Sequence, residues 1–94
     1  MNGSDIEFDW DEANIDHIAR HGVTIEEAEE AVLGFTVDLG MEIVNSEERS
    51  KQVGSTRSGR LLLLVTTWRE SRIRVVTAFD ANKQLAGIYY RMRN

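Results

Sequence analysis

Apolar and acidic positions alternate at the start of the chain, where Ile6 and Phe8 predict a short first strand. Asp9, followed three residues later by Glu12, reads as a capping box, and a helix is expected from Trp10 to about His21, ended by Gly22. Trp10, Ala13, Asn14, His17, Ile18 and His21 recur near i, i+3, i+4 spacing and form its candidate buried stripe. Thr24 and Glu27 make a second capping box, with Val23 placed to staple against Ala28. That second helix runs to about Leu33 and stops at Gly34. Its acids, Glu26, Glu27, Glu29 and Glu30, crowd the end where the helix dipole favours negative charge.

The rhythm then changes to period two. Val37, Leu39, Met41 and Ile43 alternate with Thr36, Asp38, Gly40 and Glu42 as in a half-buried strand. Arg49 to Arg57 reads as a more polar strand, Arg60 to Trp68 as a central strand apolar on both faces, and Arg72 to Phe79 as the next. Ser58-Gly59 and Glu70-Ser71 each leave a two-residue hairpin loop, which pairs Arg57 with Arg60 and Arg69 with Arg72. One face of the sheet then carries Val53, Leu62, Leu64, Trp68, Ile73, Val75 and Phe79 as the expected core. The other carries Gln52, Thr67, Arg69, Arg72 and Arg74, with Leu61, Leu63, Val65, Val76 and Ala78 beyond. Asn82 to Met92 is expected to be a helix with Leu85, Tyr89 and Met92 on one face; a strand through Ile88-Tyr89-Tyr90 competes with it. Helices grouped before strands indicate an α+β domain with an antiparallel sheet.

Length and charge narrow the function. The chain has 94 residues, no cysteine and no proline, which suits one domain over residues 1–94 and excludes a disulfide framework or a cysteine nucleophile. The polar, acidic start is unlike a signal peptide, and the longest apolar run, Leu61 to Val65, is too short for a bilayer, so a cytoplasmic protein with no membrane partner is expected. The formal charge of −5 conceals an asymmetry. Residues 1–48 hold 14 acids and one base (net −13), and residues 49–94 hold ten bases and two acids (net +8). Local fields govern binding, so an acidic total does not exclude a nucleic-acid surface. The competing reading is that the halves neutralise each other within the fold.

Few residues carry recognisable chemistry. His17 and His21 have the i, i+4 spacing of a shared metal, but no third ligand is evident, and His21 suits a helix C-terminus instead. There is no glycine-rich phosphate loop, and no serine has an evident base and orienting partner. The strongest signal is a cluster of cations: Arg69, Arg72 and Arg74, with Arg49, Lys51, Arg57 and Arg60 on neighbouring strands. Arginine grips phosphate bidentately and stabilises charge that develops in phosphoryl transfer.

Phe8-Asp9-Trp10-Asp11-Glu12, Ala19-Arg20-His21-Gly22-Val23 and Glu26-Glu27-Ala28 resemble the helical opening of BrnT toxins. Glu47-Glu48-Arg49, Val53-Gly54, Gly59-Arg60-Leu61-Leu62 and the run Arg72 to Ala78 resemble that family's sheet. The resemblance implies a RelE-like α+β fold: an antiparallel sheet of about four to five strands, two N-terminal helices on one face and a short C-terminal helix. It also implies a metal-independent endoribonuclease without cofactor, in which the RNA 2′-OH attacks in line. A BrnA-like antitoxin would neutralise it, and operator DNA would be met only through the antitoxin complex. The positions of this chain that match the family's motifs are Glu48, Arg49, Arg60, Arg72 and Arg74; with the residues that chemistry adds, the expected catalytic residues are Glu48, Arg49, Arg72, Arg74 and Tyr89, with Arg60, Arg69 and Lys51 binding RNA. His17 is an alternative proton acceptor to Glu48, and Tyr90 an alternative to Tyr89. Departures from the family remove cations: Phe79 stands where arginine is usual, and Gln84-Leu85-Ala86-Gly87 replaces a charged stretch. They leave a second reading, a catalytically inactive BrnT-like protein-binding module.

Overall fold

The computed structural model describes residues 6–94. Two helices, α1 (Glu12–Ala19) and α2 (Ile25–Leu33), precede four strands, β1 (Thr36–Val44), β2 (Glu47–Ser55), β3 (Leu61–Arg69) and β4 (Arg72–Asp80). A last helix, α3 (Lys83–Arg93), follows. The strands form one antiparallel meander in the order β1-β2-β3-β4. The α+β expectation holds, and the tail is a helix rather than a strand. Among the described residues, no helix is long and apolar enough to cross a membrane.

Local chemistry explains the helix starts. Thr24 and Glu27 make the expected reciprocal cap of α2, and Val23 joins Ala28 in one buried cluster. The cap of α1 is Asp11, not Asp9. Its carboxylate accepts from the Asn14 backbone N–H at 3.0 Å, and the Asn14 side-chain oxygen accepts from the Asp11 N–H at 2.8 Å. The Asn14 amide nitrogen also donates to the Val75 carbonyl at 3.1 Å, so one buried residue both closes the cap and docks α1 on β4. Asp9 stays extended, because its N–H donates to the Ile73 carbonyl at 2.8 Å while the Ile73 N–H donates to the Glu7 carbonyl at 2.9 Å. The expected first strand is thereby reduced to one parallel bridge, Phe8 to Ile73, on the outer edge of β4. Within α1 only Asn14 and Ile18 are buried; Ala13, His17 and His21 lie exposed and Trp10 half-buried.

The sheet is covered on both faces. Ile18, Val23, Ala28 and Ala31 from the N-terminal helices pack with Leu62, Leu64, Val75 and Ala78. On the opposite face Val37, Val53 and Tyr89 form a second cluster, flanked by Leu61, Leu63, Leu85 and Ile88. Met92 is exposed rather than part of that face.

Two details of the chain set these faces. The β2–β3 connection is a three-residue loop, Arg57-Ser58-Gly59. The Thr56 N–H donates to the Arg60 carbonyl at 2.9 Å, and Gly59 takes the positive φ of +93° that such a loop places last. Ser55 therefore pairs with Leu61 and Val53 with Leu63, one residue off the register expected from a two-residue loop. Val53 consequently faces α3 instead of the first core. The Glu70-Ser71 loop is the expected two-residue turn, both residues at positive φ, and Arg69 does pair with Arg72. A bulge then interrupts β3–β4 after Val65↔Thr77, leaving Val76 extra, so Thr66 pairs with Val75. The bulge moves Ala78 into the core under the N-terminal helices and Phe79 out of it. Trp68 lies beyond the reach of the helices and is 65% exposed.

α2 approaches the sheet closely at Gly54, where an added Cβ would overlap the Ala31 carbonyl oxygen. Both atoms sit on packed backbone, so neither yields easily. Gly54→Ala is expected to destabilise the fold by about 1–3 kcal/mol, an overpacking penalty, read from urea unfolding midpoints. Leu64→Ala, by contrast, opens a cavity and is expected to cost about 2–5 kcal/mol.

Candidate functional site

The end of the sheet left open by α3 carries a strip of cations on one face. Register pairs Glu42 with Arg49 and Val44 with Glu47, and two residues further along that face Gly40 meets Lys51. On β3 and β4 the same face presents Thr67 and Arg69, with Arg72 opposite Arg69. Lys51, Arg49, Arg69 and Arg72 thus share a surface spanning three strands, where strand alternation and the meander bring them together. The tight turns Asn45-Ser46 and Glu70-Ser71, all four residues at positive φ, fix where this surface ends.

Two carboxylates stand among the four cations. Glu47 binds Arg49 at 3.0 Å and Arg69 at 3.4 Å, and Glu42 binds Lys51 at 2.7 Å. Arg49, then Arg69, hold the Glu47 carboxyl below the usual carboxylate range, and Lys51 does the same to Glu42. A carboxylate so stabilised in its charged form is a poor proton acceptor. Among the described residues, Arg72 has no carboxylate within 4.0 Å. It faces a like charge across the ladder, which favours an added anion between them.

The other expected site residues point away from the strip or lie elsewhere. Glu48 alternates to the opposite face of the sheet, beside Trp68 and Ser50; among the described residues its side chain has no ion-pair partner, and its backbone carbonyl accepts from the Thr67 hydroxyl at 2.7 Å. Arg74 follows Arg72 on the strip face, opposite Thr67, but its side chain, 12% exposed, turns to the start of α1 and binds Asp11 at 3.1 Å and Asp9 at 3.8 Å. Arg60 sits at the far end of β3. It binds Asp80 at 2.7 Å and Glu27 at 3.1 Å, and donates to the carbonyl of Gly22 at 2.8 Å. It ties α2, the α1–α2 turn and β4 together. Tyr89 is 3% exposed under α3, against Phe35 and Tyr90. It packs with Val53, which lies two and four residues along β2 from Lys51 and Arg49, roughly 7 and 13 Å. His17 and His21 pack edge to face at 5.6 Å, and His21 meets Phe79 at 5.6 Å. Among the described residues, no three His, Asp or Glu side chains converge as a metal site requires.

The sequence model of one family, described as "Ribonuclease toxin, BrnT, of type II toxin-antitoxin system", matches residues 10–84. The chain belongs to the BrnT family. No curated protein matches it. In this BrnT chain the matched region takes in α1, α2 and the whole sheet, so it includes every residue of the cationic strip. Two features escaped sequence reasoning. Glu47 was hidden in an acidic pair, although its alternation with Arg49 already placed both on one face. The exposure of Trp68 was hidden because nothing in the sequence marks where α1 and α2 stop covering β3.

Several carboxylates of this chain are anchored by cations or by backbone N–H groups. Arg60 depresses the Asp80 pKa. The Thr24 N–H and then Arg60 depress that of Glu27, and the Asn14 N–H and then Arg74 that of Asp11. A depressed folded-state value means stability that is present above the unfolded pKa and lost as pH falls through the folded one. Urea midpoints are therefore expected to hold steady from about pH 7 to 5 and to drop below about pH 4. Arg60→Ala is expected to lower the neutral-pH midpoint and to flatten that acid limb.

Proposed function

We propose that this chain is an endoribonuclease that grips the RNA backbone on the strip formed by Lys51, Arg49, Arg69 and Arg72. The observation that carries this reading is Arg72, a guanidinium without a carboxylate partner, set opposite Arg69 on a ribonuclease-family fold. RNA brings its own nucleophile. The 2′-oxygen forms a bond to the adjacent phosphorus as the bond to the 5′-oxygen breaks, leaving a 2′,3′-cyclic phosphate and a 5′-hydroxyl. The 2′-hydroxyl gives up a proton and the departing 5′-oxygen gains one. The added negative charge on phosphorus-bound oxygen is what arginine stabilises best. Arg72 takes that role, Arg69 aligns the phosphate with it, and Lys51 and Arg49 hold the neighbouring backbone.

In this reading the strip acts by charge and alignment. Glu47 positions Arg49 and Arg69 and is no base, for the reason its depressed pKa gives. Arg74 and Arg60 serve the fold, and Tyr89 anchors α3. The natural regulator is a BrnA-like antitoxin protein, and contact with operator DNA runs through that complex. One observation favours the second reading, an inactive binding module: Glu42 and Glu47 already neutralise part of the strip.

The test is cleavage of a long single-stranded RNA at low salt with chelator present. Wild type is expected to cleave, and Arg72→Ala to lose about 100-fold or more in rate without a change in melting temperature. Arg74→Ala is expected to do the reverse, lowering the melting temperature first. Cleavage is expected to weaken steeply with added salt, since each phosphate contact releases counterions. Unaltered cleavage by Arg72→Ala would move the site off the strip. No cleavage by wild type would establish the binding-module reading.

A further inference from the structure

The face of the sheet opposite the cationic strip ends in an uncovered apolar patch. α1 and α2 bury this face as far as Thr66 and Val75. Beyond them the register sets Met41 beside Ser50 and Ile43 beside Glu48, with Trp68 on the neighbouring strand. Met41 is 55% exposed, and Ile43 and Trp68 each 65%. Ser50, Glu48 and Trp68 line a cleft of about 410 Å³. Three large apolar side chains on one surface, around the Glu48 carboxylate, are costly to leave in water and mark an interaction site.

Charge decides what covers it. Of the two carboxylates that line the cleft, Glu47 is bound from the other face by Arg49 and Arg69, whereas Glu48 has no cation within 4.0 Å among the described residues, so its uncompensated negative charge repels a polyanion at the patch. A second copy in a two-fold contact would bring Glu48 towards its own symmetry mate, again without a cation. The complementary occupant is a protein segment with apolar anchors and a lysine or arginine. We propose that Met41, Ile43 and Trp68, with Glu48 at their centre, are the docking surface for a basic, amphipathic segment of the antitoxin. The proposal rests on the family reading that an antitoxin partner exists. It adds that the antitoxin holds this chain from the face opposite the RNA strip. The edge of β1 lies open beside the patch, whereas that of β4 is occupied by the bridge at Phe8.

The experiment measures binding of the antitoxin encoded with this chain to the full-length protein, by calorimetry, alongside RNA cleavage and melting temperature. Ile43→Ser and Trp68→Ser are each expected to weaken antitoxin binding about 30-fold or more, as central apolar anchors do. Cleavage and melting should stay near wild type. Glu48→Lys is expected to weaken binding through like-charge repulsion, and Trp68→Phe to retain most of it. Wild type that binds no antitoxin would overturn both this proposal and the family's partner reading. Antitoxin that binds wild type and all variants alike would overturn the surface alone. Loss of cleavage in Trp68→Ser with antitoxin binding intact would assign the patch to RNA. A free dimer that Trp68→Ser dissociates would assign it to a second copy. Either of these results would overturn the proposal.

Discussion

Side chains alternate across a strand with period two, so one residue added to a connection exchanges the faces of everything that follows it. In this protein that constraint acts twice. The loop Arg57-Ser58-Gly59 sets β2 against β3, and the extra Val76 resets β4 against β3. With these two adjustments Leu62, Leu64, Val75 and Ala78 meet the N-terminal helices, while Val53, Leu61 and Leu63 meet α3. The same alternation gathers Lys51, Arg49, Arg69 and Arg72 on the α3 side and leaves Glu48 and Trp68 on the other. Core and candidate site are thus two readings of one register.

The charge asymmetry of the chain is resolved in two different ways. Arg60, just before β3, and Arg74, on β4, reach back to the acidic N-terminal half and bind Glu27, Asp9 and Asp11, so part of the basic half is spent inside the fold. The strip near the turns has only Glu42 and Glu47 to answer four cations. Neutralisation within the fold describes Arg60, at the far end of β3, and Arg74, which lies beside the strip opposite Thr67, while the cations of the strip itself are only partly answered.

Much of this was legible before any coordinates. The second capping box, the helix stop at Gly34, the Glu70-Ser71 turn and the number of strands follow from local rules, because each depends on residues close in sequence. The first cap misled because Asp9 and Asp11 are both competent, and the choice falls to Ile73, which captures the backbone at Asp9. The face carrying Val53 misled because a two-residue and a three-residue loop differ by one residue at Gly59. The candidate site was half legible. The register brings Lys51, Arg49, Arg69 and Arg72 together, as their places on neighbouring strands suggested, yet which cations are left without a carboxylate depends on acids more than 30 residues away, such as Glu27 for Arg60 and Asp11 for Arg74.

The hydrogen bond from Asn14 to the Val75 carbonyl joins residues 61 apart, near the two ends of the fold. Synthesis proceeds from the N-terminus, and the Asn14 bond that docks α1 cannot form until β4 has left the ribosome. The cationic strip needs Arg72 from that same late strand. Any reactivity housed there is withheld from the nascent chain until translation of the message is nearly complete.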